Sequence, residues 1–436
     1  MRKKTIGMIS ACIFLAGLVI PGCSRTPETR SHSGSEVFQT GQSSVPEKKE
    51  TEAPEETPVP TEDPQQSAEG EAEDPVPAAN QDPEAEIREY LSRMTAEEKA
   101  AQLFFVTPES LTGADLVTAA GETTRQAFDA IPVGGLVYMA QNLESESQVR
   151  EMLENVQTYS RERLGLPVFT GVDEEGGTVT RIGGRGNFDV PWVGDMRDVG
   201  STGDSALAYE TGVTLGTYLR DLGFNVDFAP DADVLSNPEN EVVRYRSFGS
   251  DPALVAEMAA AELKGLKEQG VLGCYKHFPG HGATAGDTHA GYAYTDKTLE
   301  ELMSCELIPF QRGVEEGVSM IMAGHISLPS VVGDDTPASL SSTMITEVLR
   351  GQMGYDGIVI TDAMNMGAIS GNYSSSEAAV AAIRAGIDML LMPADFHSAY
   401  EGVLQAVSDR TISQERLNDA LTRILQVKLI QLQSET

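Results

Sequence analysis

Gly357-Ile-Val-Ile-Thr-Asp362 is a short apolar segment that ends in a carboxylate. Its four consecutive β-branched residues favour an extended conformation, and the lack of polar alternation is typical of a strand buried on both faces. Seven further segments have a similar length and apolar character, at residues 103–107, 135–138, 168–172, 225–229, 273–276, 320–323 and 389–392. The sequence therefore predicts eight buried strands.

Longer segments with helical periodicity lie between most of these strands, at residues 147–159, 205–222, 252–269, 298–316, 341–353 and 376–385. A last amphipathic segment, 413–432, is predicted to pack against the core and to carry no chemistry. The alternation predicts an α/β fold, a single (β/α)8 TIM-type barrel, and an open doubly wound sheet is the alternative. No break in composition divides residues 85–436, so we expect one domain there.

Polar side chains follow most of the predicted strands. They are Asp173, Asp231, Asp233, Lys276, His277, His325, Asp362 and Asp395. In a barrel the carboxyl ends of all strands meet at one face, where the active sites of this fold lie. We therefore expect these residues to converge on one pocket.

The N-terminus has the features of an export signal. Arg2, Lys3 and Lys4 precede an apolar segment, 6–20, that is too short for an ordinary spanning helix. Val19-Ile-Pro-Gly-Cys23 resembles the lipobox of bacterial lipoproteins, which implies that residues 1–22 are removed and that Cys23 is lipidated. A plain secretory signal and an uncleaved anchor are the alternatives, and all three place the protein outside the cytoplasm.

Residues 23–84 are predicted to form a disordered acidic tether. They are rich in Pro, Glu, Ser, Thr and Gln without hydrophobic periodicity, so they cannot bury enough apolar surface to fold. The net charge of −35 argues against a nucleic-acid partner, since phosphates would be repelled. Membrane contact is expected only through the lipid anchor, and the oligomeric state is left open. Cys274 and Cys305 are expected to be free thiols.

Three of the six histidines lie in Lys276-His-Phe-Pro-Gly-His-Gly-Ala-Thr-Ala-Gly-Asp-Thr-His289. One interpretation is a metal site formed by His277, His281 and His289 with Asp287. Pro279-Gly280 interrupts the helix that would align the first two, so we predict no metal. The favoured interpretation pairs Asp287 with His289, because a carboxylate can orient an imidazole that donates and accepts a proton near neutral pH.

This segment is similar to the K-H-[FI]-P-G-H-G-x4-D-[ST]-H signature of family 3 glycoside hydrolases of the β-N-acetylhexosaminidase type. The resemblance extends over nearly all of residues 87–432. In that family the Asp-His pair is the acid/base, which implies this role for Asp287 and His289.

Three other segments match the same family in order. Asp173-Glu-Glu-Gly-Gly-Thr-Val-Thr-Arg181 and Arg246-Ser-Phe-Gly resemble its sugar-binding elements, and the segment ending in Asp362 resembles its nucleophile strand. The resemblance implies that Asp362 attacks the anomeric carbon and that the sugar is bound by Asp173, Arg181, Arg246, Lys276 and His277. The chain departs from the family at Ala363, where a second acid is common, and at Thr178, where Arg or Lys is common.

The resemblance implies a retaining β-N-acetylglucosaminidase, without a cofactor, that removes terminal β-linked GlcNAc from peptidoglycan fragments or related glycans. A phosphorylase on the same scaffold and a non-catalytic glycan-binding lipoprotein are the alternatives. Arg181 and Arg246 could instead form structural ion pairs. Trp192 is expected to be buried in packing, with stacking on a sugar as the alternative.

Overall fold

The structure is a computed structural model that describes residues 83–286, 291 and 293–432. These residues belong to one compact unit. The predicted signal, the lipidation site Cys23 and nearly all of the predicted tether lie outside the described residues, as do Asp287 and His289.

Eight parallel strands form the centre of the molecule, and all eight were predicted. They are β1 (Phe104–Val106), β2 (Gly135–Val137), β3 (Phe169–Val172), β4 (Val226–Asp227), β5 (Leu272–Phe278), β6 (Met320–Ala323), β7 (Ile358–Thr361) and β8 (Leu390–Leu391). They pair in chain order from β1 to β7, and β8 pairs with β1. A parallel bridge between Ile360 and Met389 joins β7 to the start of β8. The sheet therefore closes, and the open doubly wound alternative is wrong.

Aromatic side chains fill the interior of the barrel. The ring of Phe105 on β1 lies 6.2 Å from that of Phe169 and 5.3 Å from that of Phe228. This packing requires glycine on the neighbouring strands: a Cβ at Gly135 or Gly171 would lie within 2.7 Å of the Phe105 ring. Since real Cβ contacts are longer, the two glycines make room for the aromatic cluster.

Helices surround the barrel. The α-helices are α1 (Pro83–Arg93), α2 (Ala96–Ala101), α3 (Pro108–Thr112), α4 (Glu122–Ala130), α5 (Glu146–Leu164), α6 (Met196–Ser201), α7 (Ser205–Leu222), α8 (Pro252–Glu268), α9 (Leu299–Met303), α10 (Leu307–Glu315), α11 (Pro329–Val332), α12 (Gly367–Ser370), α13 (Ser375–Ala385), α14 (Phe396–Ser408) and α15 (Gln414–Gln426). Short 3-10 turns span Ala140–Asn142, His281–Ala283 and Ala338–Leu340, and π-helices span Thr343–Gln352 and Val427–Gln431. A separate short pair of strands joins Ala293–Tyr294 to Ile326–Ser327.

Two helical predictions differ from the structure. The segment 298–316 forms α9 and α10 rather than one helix, because Pro309 lacks the N–H of a continuous helix and its ring would meet the carbonyl of Cys305. In the first turn of α10 the same proline is tolerated. The segment 341–353 is helical but with π geometry, since the Met353 N–H donates to the Val348 carbonyl five residues earlier.

Trp192 is exposed, so the prediction of a buried packing role was wrong. The side chain has a relative exposure of 65 %. It lies against Gly184, where a Cβ would approach its ring to 2.6 Å, in a loop outside the barrel rather than in the core. Stacking on a sugar is the interpretation that remains.

Lys428 and Gln102 are buried in the packing between the C-terminal helical segment and the barrel. The Lys428 ammonium donates to Gln102 Oε1 at 2.8 Å and lies 4.9 Å from the Phe169 ring centroid. Burial lowers the pKa of Lys428 to about 7. The segment thus packs against the barrel as predicted, with one ionisable group in the contact.

Cys274 and Cys305 are free thiols, as expected. Within the part of the chain that the structure describes, every helix is too short or too polar to span a membrane.

Candidate active site

The strand ends surround a cavity of about 330 Å³. Its lining contains all five residues predicted to bind sugar, Asp173, Arg181, Arg246, Lys276 and His277, together with the predicted nucleophile Asp362. Glu175, His281, Asn365 and several apolar side chains complete the wall, including Met322 and Met392. The size is typical of a small-ligand pocket. Of the strand-end residues, Asp395 instead caps α14 by accepting from the Ser398 N–H at 3.0 Å.

The ionic residues of the cavity form a chain of alternating charges. Arg181 Nη2 lies 3.2 Å from Asp173 Oδ2, and Lys276 Nζ lies 3.0 Å from Asp173 Oδ1 and 2.6 Å from Glu175 Oε1. Arg246 donates to both oxygens of Glu175, at 2.7 and 2.8 Å. Each cation is therefore held in place by carboxylates before any substrate binds. Arg181 and Arg246 form ion pairs and also line the cavity.

The chain of charges determines the ionisation of its members. Burial raises the pKa of Glu175, but the charges of Arg246 and Lys276 outweigh it and hold that pKa far below its ordinary value. Burial lowers the pKa of Lys276, but Glu175 and Asp173 outweigh it and raise that pKa. Glu175 and Lys276 are thus charged at neutral pH, which suits them to bind the hydroxyl and carbonyl groups of a sugar.

His277 is held on two sides. Its Nδ1 lies 2.7 Å from Asp233 Oδ2, and its Nε2 lies 3.2 Å from Arg246 Nη2. Since the guanidinium can only donate, Nε2 accepts and Nδ1 carries the proton. Burial and the charge of Arg246 lower the pKa of His277 to about 4, so the ring is neutral at pH 7.

Asp231 and Asp233 are buried next to His277, and the Asp233 N–H donates to Asp231 Oδ1 at 3.0 Å. Burial, together with the charge of Asp233, raises the pKa of Asp231 well above its ordinary value. Asp233 accepts the N–H groups of His277 and His281 in addition to the imidazole. Burial raises the pKa of Asp233, and these bonds act in the opposite direction. Asp233 therefore orients His277.

Asp362 follows β7 directly and is half-buried at the cavity wall. Its N–H donates to the Ala323 carbonyl at the end of β6, and its Oδ1 accepts the Ala363 N–H at 2.7 Å. Burial raises the pKa of Asp362, but His277, His325 and the Ala363 N–H outweigh it and leave the pKa below its ordinary value. The carboxylate is thus ionised and accessible, as a nucleophile must be.

His325 supports this segment from below. Its Nε2 lies 3.1 Å from the Ala363 carbonyl and its Nδ1 lies 2.8 Å from Ser339 Oγ. Because the carbonyl only accepts, Nε2 carries the proton and the ring fixes the backbone beside Asp362.

Glu174 shapes the loop that carries Arg181. Its buried carboxylate accepts the N–H groups of Arg181, Ile182 and Gly183 at 2.6 to 3.0 Å. It also accepts the hydroxyls of Thr180 at 2.6 Å and Tyr218 at 2.8 Å. One carboxylate therefore stabilises the whole turn from Glu174 to Gly183 and fixes the backbone of Arg181.

Sequence reasoning missed Glu174 and Glu175 as site residues, and it placed Asp233 at a strand end without assigning it a role. The signal for the two glutamates was present, because they directly follow Asp173 in the same matching segment. His281 was considered only as a metal ligand. It lines the cavity with Nε2 unpartnered among the described residues, while its Nδ1 lies 3.0 Å from Thr284 Oγ1.

Three side chains have the chemistry of metal ligands. Asp231, Asp233 and His277 place ligand-type atoms within 4.8 Å of one another. Arg246 Nε lies 3.5 Å from Asp231 Oδ2, and the His277 Nδ1 is already bonded to Asp233. A divalent cation bound there would meet the charge of Arg246 at short range, which disfavours a metal at this cluster.

The sequence of this barrel matches a family model over residues 95–427, that of the glycosyl hydrolase family 3 N terminal domain. The chain belongs to glycoside hydrolase family 3. The family 3 match includes every strand of the barrel and every described residue of the cavity. The resemblance noted from the sequence motifs is thereby confirmed.

Named relatives of this family 3 chain are hexosaminidases. It is 32 % identical to beta-hexosaminidase A of Pseudoalteromonas piscicida over 321 residues, 68 % of this chain and 53 % of that one. It is 38 % identical to beta-hexosaminidase LpqI of Mycobacterium tuberculosis over 236 residues, 52 % of this chain and 58 % of that one. The chain thus spans little more than half the length of these two curated relatives.

The structure is similar to that of a glycoside hydrolase family 3 beta-N-acetylglucosaminidase from Paenibacillus sp. str. FPU-7. The TM-score is 0.73 at 35 % sequence identity, and the match covers 78 % of this chain and 63 % of that chain. The likeness places the same barrel in both proteins.

Proposed function

We propose that this chain is a retaining β-N-acetylglucosaminidase that hydrolyses terminal β-linked GlcNAc from glycans. The observation that carries the proposal is the cavity at the strand ends, where Asp362 faces the five residues predicted to bind sugar. The names of the relatives, beta-hexosaminidase and beta-N-acetylglucosaminidase, support the choice of an N-acetylated sugar.

The proposed reaction has two steps. An Asp362 carboxylate oxygen attacks the anomeric carbon while a general acid donates a proton to the glycosidic oxygen, so the leaving sugar departs as an alcohol and a glycosyl ester remains. Water, deprotonated by the same group, then attacks the anomeric carbon and releases Asp362 and GlcNAc with retained configuration. We assign the acid/base role to His289 with Asp287, on the motif that carries them.

Asp173, Arg181, Arg246, Lys276 and His277 are proposed to bind the terminal sugar. The three cations already point into the cavity from fixed ion pairs, so binding requires little reorganisation. Preorganised groups of this kind lower the cost of ordering a site around a polar ligand.

The test is turnover of an aryl β-N-acetylglucosaminide and of the matching β-glucoside by the purified full chain. We expect turnover of the N-acetyl substrate, a retained β-product by NMR, and loss of turnover in Asp362→Ala. Asp395→Asn is the matched control, since it changes another strand-end aspartate that caps α14 outside the cavity. No turnover of either substrate by a folded protein would contradict the proposal and favour a glycan-binding role.

Adding inorganic phosphate separates hydrolysis from phosphorolysis. We expect free GlcNAc at every phosphate concentration. Formation of GlcNAc-1-phosphate would instead identify the phosphorylase that the sequence left as the alternative.

We also propose that the protein is held at the outer face of the bacterial membrane by a lipid on Cys23. The support is the basic, apolar and lipobox-like order of residues 1–23. In the producing cell, radiolabelled palmitate should appear on the wild type and not on Cys23→Ala. Release of the unmodified wild type into the medium would favour the secreted alternative.

A further inference from the structure

We propose that a groove beside the cavity binds the leaving sugar, and that its acidic rim selects a neutral or cationic leaving sugar over one that carries a carboxylate. This inference rests on the proposed function and names the substrate class of the same site. It distinguishes chitin-type chains from wall fragments whose muramic acid carries a free carboxylate.

The groove is continuous with the cavity. It has a volume of about 690 Å³ and shares Val179, Val242 and Arg246 with the cavity wall. Its far side is formed by residues 284–286, which directly precede Asp287 in the chain. The groove therefore adjoins the sugar cavity and is bounded by the residues that directly precede the acid/base motif in the sequence, and we assign the leaving sugar to it.

The wall of the groove is rigid and polar. Asn240 Nδ2 donates to the His281 carbonyl at 2.8 Å, and its Oδ1 accepts the N–H groups of Val242 and Val243. Asn237 Nδ2 donates to the Thr284 carbonyl at 2.8 Å. These bonds tie the segment after β4 to the segment after β5, so the groove is held open between two fixed walls.

The described charged residues of the groove are mainly acidic. Glu239 and Glu241 line it, and Asp195 lies at its edge, where its Oδ1 accepts the Thr178 N–H at 3.0 Å. Arg246 is the one cation among the described lining residues, and Glu175 holds it in a bidentate ion pair.

Arg244 offsets only part of this charge. Arg244 lies 2.8 Å from Glu241 and also donates to the Pro238 carbonyl. Position 178, where the family resemblance places Arg or Lys, is the neutral Thr178. The rim therefore has an excess of negative charge, and the net charge of −35 adds long-range repulsion of anions.

The size of the effect follows from exposure. Glu239 and Glu241 are exposed, so their interaction with a bound carboxylate is weakened by water and by salt. We expect a preference of about three- to tenfold in kcat/KM at low ionic strength, because exposed charges contribute modestly to binding. The preference should shrink as salt screens the charges.

The test compares two disaccharides of equal bulk with the purified full chain. Both carry a terminal β-linked GlcNAc on muramic acid; in one the lactyl group is the free carboxylate and in the other it is the amide. We expect the amide to react about three- to tenfold faster in kcat/KM at 20 mM salt and the two to converge at 0.5 M salt. Glu239→Gln with Glu241→Gln should remove most of the difference, and Thr178→Arg should reverse it.

Glu347→Gln is the matched control, because it removes an exposed carboxylate on the outer π-helix, away from the groove. It should leave the amide-to-acid ratio unchanged. Equal rates at low salt, a faster acid, or turnover of the aryl substrate alone would overturn the inference while leaving the proposed function in place. No turnover even of the aryl β-N-acetylglucosaminide would remove the proposed function and this inference with it.

Discussion

The imidazole Nδ1 of His277 lies 2.7 Å from Oδ2 of Asp233, and both side chains are buried. Asp233 also accepts the His277 N–H at 3.2 Å, so one carboxylate fixes both the backbone and the ring. The other ring nitrogen then faces Arg246 as an acceptor. Asp233, in the segment after β4, thus fixes the orientation of the His277 ring near the end of β5.

Asp233→Asn should damage the site through the tautomer of His277. The amide can donate to Nδ1, which would move the ring proton to Nε2. The Nε2 proton would then face the Arg246 N–H, and the hydrogen bond between them would be lost. We expect kcat/KM for the aryl β-N-acetylglucosaminide to fall about a hundredfold. This is less than the roughly 10⁴-fold loss caused by the wrong tautomer of a catalytic base, because His277 binds the sugar and does not transfer the proton. Asp231→Asn is the control: Asp231 Oδ1 accepts the Asp233 N–H rather than bonding to the imidazole, so its amide should cost less than tenfold. Equal losses in the two variants would contradict the assignment.

Glu174→Gln should misplace Arg181. Five groups donate hydrogen bonds to the Glu174 carboxylate. The N–H groups of Arg181 and Ile182 donate to Oε2, and the other three groups donate to Oε1. In the glutamine variant, an NH2 group at either position would face donors instead of accepting from them. Leaving such donors unpaired costs about 1–3 kcal/mol each. We expect a rise in KM of about tenfold or more with a smaller change in kcat, and a lower Tm. Thr180→Val removes one hydroxyl donor from the same carboxylate and should have a much smaller effect. A change confined to Tm, with KM unchanged, would show that Glu174 does not position Arg181.

The pH profile of kcat/KM should lose activity on the acid side at about pH 4. His277 must be neutral to accept from Arg246, and its pKa is lowered to about 4 by burial and by Arg246. Asp362 must be ionised, and its pKa is held below the ordinary value, so it is not limiting before His277. Activity should therefore persist through pH 5 and fall as His277 takes up a proton. Near-UV circular dichroism at pH 4 checks that the protein is still folded; an acid limb near pH 6.5 would contradict the shifted pKa.

Lys428→Met should change how stability depends on pH. The pKa of Lys428 is about 7 when folded, below the ordinary lysine value of about 10.4 when unfolded. Between these values the unfolded chain binds more protons, so the free energy of unfolding rises with pH. We expect the wild type to gain roughly 2 kcal/mol relative to Lys428→Met between pH 7 and pH 9, in urea unfolding. Parallel pH dependences would show that Lys428 is not buried as a charge-sensitive group.

The barrel could be predicted from local sequence because each strand is an apolar run buried on both faces. The segment 205–222 was predicted as a helix with the bounds that α7 has, since its periodicity is clear and its ends carry Asp204 and Gly223. The segment 298–316 was predicted as one helix but forms two, because its helical periodicity continues across the break before α10. Trp192 was misplaced for a similar reason: residue type favours burial, but the position in a surface loop decides exposure.

The sequence by itself determined the number and order of the strands, the residues at their carboxyl ends and the family. These features depend on short-range patterns and on motif spacing, which are readable along the chain. Only the tertiary structure decided the charge chain from Arg181 to Arg246, the role of Glu174 and Asp233, and the groove beside the cavity. Each of these joins segments that are distant along the chain, such as Glu175 and Arg246 or Asp233 and His277, and such contacts exist only after the barrel closes and brings the strand ends to one face.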